Sequence, residues 1–265
     1  MQENQESSLE ESSGEEQPSS IRRRGIYILP NLFTTGSLFS GFYAIVAGMN
    51  HYSAAAAIAI ILALILDGLD GRVARLINAQ SAFGGEYDSL SDLVSFGVAP
   101  ALVAYNWTLV DLYPSGYGKA GWLCAFTYVA CVALRLARFN TRIDDTASKR
   151  YFYGLPCPAG AALVSMGIWV GDMYHVKGLW VSFLTASVLV LVALLMVSNI
   201  HFRSFKDIDL KSSVRFTVIV GFVLTIVLIA LHPVEIIFLL SLVYVLSGPV
   251  LSAPKYWKKR KSTAV

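Results

Sequence analysis

Charged residues are scarce in this sequence of 265 residues. Asp, Glu, Lys and Arg make up 15% of it, against about 25% in ordinary soluble domains. Hydrophobic residues make up 55%, and the mean hydropathy is +0.57. This balance excludes a disordered chain and argues against a soluble globular domain. We expect a membrane protein, and we expect no nucleic acid among its partners.

Cysteine is also rare. The chain has three, Cys124, Cys131 and Cys157, an odd number whose spacing matches no metal-binding motif. The sequence therefore predicts neither a disulfide framework nor a thiolate metal site. We interpret the three as small, buried, apolar residues.

Long hydrophobic runs occupy most of the chain. A membrane-spanning helix needs about 20 apolar residues, and eight runs approach or reach that length. They lie at 26–49, 53–75, 88–110, 119–138, 157–173, 178–199, 214–231 and 233–251. The sequence therefore predicts an all-α polytopic membrane protein with about eight transmembrane helices.

The distribution of basic residues predicts how these helices are oriented. Residues 1–24 form a tail that is acidic at first and ends in three arginines, and residues 253–265 form a basic tail. If the N-terminus is cytoplasmic, all 21 Lys and Arg residues except Lys119 and Lys177 fall on the cytoplasmic side. The positive-inside rule requires such a split. We therefore expect an integral protein of the cytoplasmic (inner) membrane, with both termini in the cytoplasm and the first tail disordered.

Four aspartates occur where a membrane helix should have none. Asp67 and Asp70 continue an apolar run without a break, and Asp88 and Asp92 lie just before or within the next run. Their spacings of three and four residues place each pair on one helix face. Carboxylates at membrane depth cost several kcal/mol, so they are candidates for function.

Facing carboxylates of this number need cations. Four together would carry a charge of about −4, which two divalent ions would neutralise. Sites with oxygen ligands alone suit Mg²⁺, Mn²⁺ or Ca²⁺ better than zinc. Two such ions side by side favour in-line displacement at phosphorus. The alternative is structural: the aspartates cap helices or pair with Arg72 and Arg75.

Small residues accompany the aspartates. Gly71 and Ala74 share the face of the first pair, and Gly84 shares that of the second. They leave a slot where a phosphorylated group can approach the backbone. Arg75 follows directly, and its planar guanidinium suits a phosphate.

Together these residues form one motif, Asp67-x-x-Asp70-Gly71-x-x-Ala74-Arg75, then eight residues, then Gly84-x-x-x-Asp88-x-x-x-Asp92. The motif resembles the signature of the CDP-alcohol phosphotransferase family, with every fixed position filled. The resemblance implies a CDP-linked donor, release of CMP and two divalent cations (Mg²⁺ or Mn²⁺) bound by the four aspartates. It implies that Asp88 and Asp92 are catalytic and that Asp92 is also the general base on the attacking hydroxyl.

The same resemblance has consequences for the fold and the donor site. It implies a six-helix core at 25–212, with two extra transmembrane helices at 213–252, and a homodimer. The expected nucleotide-binding residues are Asn31, Thr34, Asp67, Gly71, Ala74, Arg75 and Gly84, the first two from a first-helix segment that is similar to the family's.

The acceptor is addressed by three further segments, at 135–140, 154–159 and 196–206. They resemble the bacterial and archaeal family members that transfer the phosphatidyl group of CDP-diacylglycerol to L-serine. Arginine binds a carboxylate through two parallel hydrogen bonds, so the predicted serine-binding residues are Arg135, Arg138, Asn140 and Lys206. The alternative for Arg138, Lys149 and Arg150 is a lipid-facing basic collar.

Three rival functions stay open at the level of sequence. The first keeps the chemistry and changes the acceptor to glycerol phosphate, inositol phosphate or choline. The second is an intramembrane prenyltransferase, which also places Asp-rich helices around a metal-bound diphosphate. The prenyltransferase pattern, however, has no counterpart of Gly71, Ala74–Arg75 and Gly84. The third is a divalent-cation transporter that uses the acidic face as its path.

Overall fold

The chain is a bundle of long helices. The computed structural model describes residues 28–77, 81–141, 151–203 and 216–262. In these ranges there are eight long helical segments: α1 (Ile28–Met49), α2 (Ser53–Leu76), α3 (residues 82–107), α4 (Gly118–Asn140), α5 (Cys157–Met173), α6 (Leu179–Val197), α7 (Phe216–Leu231) and α8 (Pro233–Ser262). Short 3₁₀ and π turns, Leu109–Leu112 and Tyr113–Tyr117, join α3 to α4. The predicted all-α fold is confirmed.

The helices have the length and composition of membrane spans. Five described segments are long and apolar enough to cross a bilayer, namely Leu29–Met49, Ser53–Leu76, Leu109–Asn140, Leu179–Val197 and Pro233–Val250. α5 is shorter, 17 residues or about 25 Å, and most of its residues are buried. The chain is thus an integral membrane protein whose α5 lies inside the bundle, in contact with α2, α3, α6 and α8.

Small residues bring α1 close to α3. A Cβ added at Gly41 would lie 2.6 Å from the Cα of Ser95, and one added at Gly48 would lie 2.8 Å from Val103 Cγ2. Helices in lipid associate through such close backbone approach because no hydrophobic effect drives them together. The two glycines, seven residues apart on one face of α1, therefore set the distance between these helices.

Buried hydroxyl groups link α1 to both α2 and α3. Ser37 donates to Ala63 O at 3.0 Å and Ser40 to Ala59 O at 2.8 Å, which ties α1 to α2. Ser95 of α3 donates to Ser37 O at 3.0 Å. All three hydroxyls are buried, and each bonds a carbonyl oxygen of another helix. The first three helices thus form one unit held by polar contacts inside an apolar bundle.

α3 changes its winding partway along. It begins at Ala82, ahead of the predicted apolar run, because the Ser81 side chain caps it by accepting a hydrogen bond from the backbone N–H of Gly84 at 3.0 Å. After Asp92 it becomes π-helical over Leu93–Val98 and then α-helical again. π segments inside α-helices often occur at functional sites, and this one starts directly after an aspartate of the motif.

A short β-hairpin joins two helix ends. β1 (Tyr151–Tyr153) pairs antiparallel with β2 (His201–Arg203), with Phe152 opposite Phe202. β1 leads into α5, and β2 follows α6. α8 contacts this hairpin: the fully buried Phe202 ring lies 6.0 Å from that of Tyr244 and touches Gly248. The two C-terminal helices expected as additions therefore include one, α8, that packs on the core.

Gly154, at the exit of β1, is restricted twice. Its φ of +82° is left-handed, and a Cβ there would collide with the carbonyl oxygen of Met196. Gly116 has the same φ of +82°, but nothing lies within 4 Å of its added Cβ. Substitution of the two glycines therefore distinguishes two contributions to the loss of stability: the left-handed backbone conformation, which both share, and the steric collision, which occurs only at Gly154.

We predict that Gly154→Ala destabilises the protein more than Gly116→Ala does. Both variants carry the left-handed cost of about 1–2 kcal/mol, and only the first must also displace backbone. Thermal unfolding in detergent micelles should show a drop in melting temperature for Gly154→Ala about twice that for Gly116→Ala or more. Equal drops in melting temperature would show that the backbone at Met196 can move away from the new Cβ without loss of stability.

Candidate active site

The acidic cluster lies where α2 and α3 meet. Asp67 and Asp70 come from α2 and Asp88 from the first half of α3. Each offers one carboxylate oxygen, and these oxygens all lie within 4.8 Å of one another. The predicted convergence of the two helix faces is therefore observed.

Asp92 extends the cluster by one helical turn. Its carboxyl lies within hydrogen-bonding reach of Asp67. One oxygen each of Asp88 and Asp92 is buried with no hydrogen-bond partner among the described residues. Buried carboxylate oxygens rarely stay unsatisfied, and hard divalent cations accept such ligands. The cluster thus fits a divalent cation.

The structural alternative for these aspartates is not observed. The one ion pair within the described ranges joins His232 to Glu235, at 3.9 Å and far along the chain from the cluster. Arg75 instead donates from Nε to Gly71 O at 2.7 Å. The cap of α3 is Ser81, not an aspartate. The four carboxylates consequently face one another rather than arginines.

α1 forms a further wall of the site. The buried Thr34 hydroxyl donates to Asp70 Oδ2 at 2.8 Å. Asn31 lies opposite the start of α3: its Oδ1 is 3.5 Å from the position that a Cβ at Gly84 would occupy. Both first-helix residues predicted from the motif therefore adjoin the carboxylate-bearing helices.

The small residues of α2 leave open space. Nothing lies within 4 Å of a Cβ added at Gly71, which is exposed, and Ala74 is half-buried. The exposed Arg75 lies over Gly71 through its hydrogen bond. This side of the cluster thus has open space and the positively charged guanidinium of Arg75, which agrees with a slot for a phosphorylated group.

Sequence reasoning missed several polar contacts around the cluster. The Thr35 and Tyr87 hydroxyls lie 2.9 Å apart, and the buried Ser91 donates to Thr34 O at 3.1 Å. Tyr87 directly precedes Asp88 in the sequence, and Ser91 directly precedes Asp92. The available signal was the recurrence of hydroxyl residues in a first helix that is otherwise apolar.

The residues predicted to bind the acceptor contact different parts of the structure. Arg135 donates from Nη1 to Cys157 Sγ at 3.1 Å, and its Nε is buried without a partner in the described structure. Asn140 donates to Ser89 Oγ at 3.0 Å, directly beside Asp88 in sequence. Both therefore lie next to the acidic helix α3 or the start of α5.

Arg138 has a different environment. It donates to Val197 O at 3.2 Å and to Asn199 Oδ1 at 2.6 Å, which binds the end of α4 to the end of α6. Arg135 and Arg138, predicted to share one face, thus contact different elements. Lys206, Lys149 and Arg150 lie outside the described residues, as does the tail at 1–24.

All of these groups gather at one end of the bundle. The starts of α1, α3 and α5 meet the ends of α2 and α4 there, as the contacts Thr34–Asp70, Asn140–Ser89 and Arg135–Cys157 show. The end of α6 joins them through the hydrogen bond from Arg138 to Val197 O. Asp92 also lies close enough to Cys157 to act on it electrostatically. Clustered carboxylates, an open slot and an arginine whose Nε has no partner among the described residues therefore lie together.

Known proteins share this sequence pattern over most of the chain. Residues 27–246 match the family described as CDP-alcohol phosphatidyltransferase. A CDP-diacylglycerol–serine O-phosphatidyltransferase of Helicobacter pylori is 37% identical over 223 residues, which cover 84% of this chain and 90% of that protein. Proteins of the same name from Mycobacterium tuberculosis (34% over 245 residues, 89% and 82% covered) and Bacillus subtilis (36% over 179 residues, 67% and 91% covered) are also similar. The chain belongs to the CDP-alcohol phosphatidyltransferase family.

Proposed function

We propose that this enzyme transfers the phosphatidyl group of CDP-diacylglycerol to the hydroxyl of L-serine, giving phosphatidylserine and CMP. The observation that carries the proposal is the meeting of Asp67, Asp70 and Asp88 at one point, with Asp92 and Arg135 both close to Cys157. The names of the relatives support serine as the acceptor. Family membership favours phosphatidyl transfer over prenyl transfer or cation transport.

Two divalent cations, Mg²⁺ or Mn²⁺, are proposed to bind the four carboxylates. Asp67, Asp70, Asp88 and Asp92 would hold them, and the unpartnered oxygens of the last two supply free ligand atoms. When bound, the cations neutralise the diphosphate and stabilise the charge that develops on the leaving group. The Thr34 hydroxyl fixes one oxygen of Asp70 by its hydrogen bond, which leaves that carboxylate in a defined orientation.

The donor nucleotide is proposed to occupy the slot beside α2. Asn31 and Thr34 of α1 and Gly84 of α3 would contact it on one side, and Gly71, Ala74 and Arg75 of α2 on the other, with Asp67 as a further proposed contact. The absence of side chains at Gly71 lets a diphosphate approach the backbone. Arg75, exposed above it, can supply hydrogen bonds to phosphate oxygens.

Asp92 is the proposed general base. Asp88, one turn earlier on the same face of α3, is the second proposed catalytic residue. The serine Oγ–H gives its proton to Asp92, and the oxygen forms a bond to the phosphorus that carries diacylglycerol. The bond from that phosphorus to the bridging oxygen breaks, and CMP leaves with the electron pair. Asp92 suits this role because it lies one turn further along α3 than Asp88 and close to Cys157, which contacts the arginine that would hold the acceptor.

The acceptor is proposed to bind between α3, α4 and α5. The serine carboxylate would meet the Arg135 guanidinium, whose Nε has no partner in the described structure. Arg138 would hold the end of α6 against α4, and Asn140 would hold α4 against α3 through Ser89. Lys206 remains a proposed contributor from outside the described residues.

The proposed location is the cytoplasmic (inner) membrane, with both termini and the active site on the cytoplasmic side. The site lies at the bundle end that also carries Arg75, Arg135 and Arg138, which agrees with the positive-inside rule. One substrate is a lipid and the other is water-soluble, so a site near one membrane face serves both. Assembly as a homodimer is part of the proposal.

We predict that the purified protein releases CMP from CDP-diacylglycerol only when L-serine and Mg²⁺ or Mn²⁺ are both present. The assay compares serine with glycerol 3-phosphate, inositol phosphate, choline and no acceptor, each with and without EDTA. Release with another acceptor but not serine would contradict the acceptor assignment. No release from folded, metal-supplied protein would contradict the reaction itself.

We also predict that Asp92→Asn lowers kcat by about 100-fold or more, since general-base catalysis contributes about 10²- to 10⁴-fold. The substitution keeps the shape and removes the base, so binding of CDP should persist. The control is Asp172→Asn, at the opposite end of α5 from Cys157, for which kcat should stay within about twofold of wild type because the residue is remote from the aspartate cluster. Wild-type turnover by Asp92→Asn would remove the base assignment.

A further inference from the structure

Cys157 forms the first residue of α5 and is fully buried. Its sulfur accepts a hydrogen bond from Arg135 Nη1 at 3.1 Å, across from α4. Thiol sulfur is a weak acceptor, so a guanidinium directed at one is unusual. The contact joins the two helices that would enclose the acceptor.

The bond determines which edge of Arg135 stays available. Nη1 lies on the same side of the guanidinium as Cδ, whereas Nε and Nη2 form the opposite edge with two parallel N–H groups. That edge can bind a carboxylate through two parallel hydrogen bonds, and it is the edge that does not use Nη1. Engagement of Nη1 by the sulfur therefore fixes the rotation of the group and leaves the carboxylate-binding edge directed elsewhere.

The Nε of that edge is buried and has no hydrogen-bond partner among the described residues. An unsatisfied donor on a charged group is costly to bury, so the position is one that an anionic ligand would satisfy. Tyr244 of α8 lies near the same guanidinium. Side chains of α5 and α8 thus lie near this arginine of α4, and its Nε still has no partner in the described part of the chain.

Cys157 also adjoins the proposed base. Asp92 lies close enough to act electrostatically on the thiol, so the base and the guanidinium both neighbour one sulfur atom. A short acceptor that carries a hydroxyl at one end and a carboxylate at the other matches this arrangement.

We propose that Cys157 is a positioning residue, which orients Arg135 so that its Nε–Nη2 edge receives the acceptor carboxylate. The inference rests on the proposed function and adds a specificity element to it. Cys157 does not touch the reacting atoms and takes no part in proton or phosphoryl transfer. Its contribution is the hydrogen bond that holds the guanidinium in one rotation.

The test compares Cys157→Ala with Cys157→Ser in the full-length enzyme. Alanine removes the acceptor atom, and serine restores one on a side chain of nearly the same size. We expect Cys157→Ala to raise the KM for serine about tenfold, because a hydrogen bond to a charged group is lost, with kcat and the KM for CDP-diacylglycerol within about threefold of wild type. Cys157→Ser should stay within about threefold in all three constants.

The control is Cys131→Ala on α4, one turn before Arg135, which should leave the serine KM unchanged. Thermal melts of each variant with CDP separate a loss of folding from a loss of acceptor binding. Serinol, which has the hydroxyl and amine of serine but no carboxylate, should react equally with wild type and Cys157→Ala. An effect of equal size on serinol would overturn the proposal.

A double-variant cycle makes the coupling explicit. With Arg135→Lys present, Cys157→Ala should have no further effect on the serine KM, since the thiol acts through the guanidinium. Additive effects, an unchanged KM in Cys157→Ala, or no rescue by Cys157→Ser would each overturn the positioning role. Wild-type turnover with serine tests the proposed function separately, because active wild type beside an unaffected Cys157→Ala variant contradicts the positioning role alone.

Discussion

The repulsion among four aspartates is the interaction on which the rest of this structure depends. Asp67, Asp70 and Asp88 bring carboxylate oxygens within 4.8 Å of one another, and Asp92 joins them one turn deeper. Such a cluster at helix depth is unfavourable without cations, so it persists only if the surrounding helices hold it in place. Its location at the junction of α2 and α3 is where the donor diphosphate is proposed to bind.

That support comes from polar contacts between backbones that small residues bring close together. Ser37 and Ser40 bond carbonyls of α2, Ser95 bonds a carbonyl of α1, and Gly41 permits the approach. In lipid, such contacts replace the hydrophobic effect as the source of specific packing. The last of this series, Thr34, bonds Asp70 itself. The packing of the bundle and the orientation of the site are therefore one set of interactions.

The sequence predicted the aspartate cluster well because it depends on local spacing: residues three or four apart share a helix face wherever the helix lies. The acceptor side was harder to predict, since its contacts join distant segments. Arg135 and Arg138 share a face in sequence, yet one bonds Cys157 of α5 and the other the end of α6. Cys157 was interpreted as a packing residue, and its burial agrees with that. Its bond to Arg135 depends on how α4 and α5 dock, which no periodicity encodes.

The claim at the centre of this account is that the four carboxylates form one binding site for two cations. Electron paramagnetic resonance of the full-length protein titrated with Mn²⁺ tests it most directly. The account predicts two bound ions per chain with a spin-coupled spectrum, and loss of the coupling in Asp67→Asn but not in Asp172→Asn. A single uncoupled ion, or a wild-type spectrum unchanged by Asp67→Asn, would contradict it.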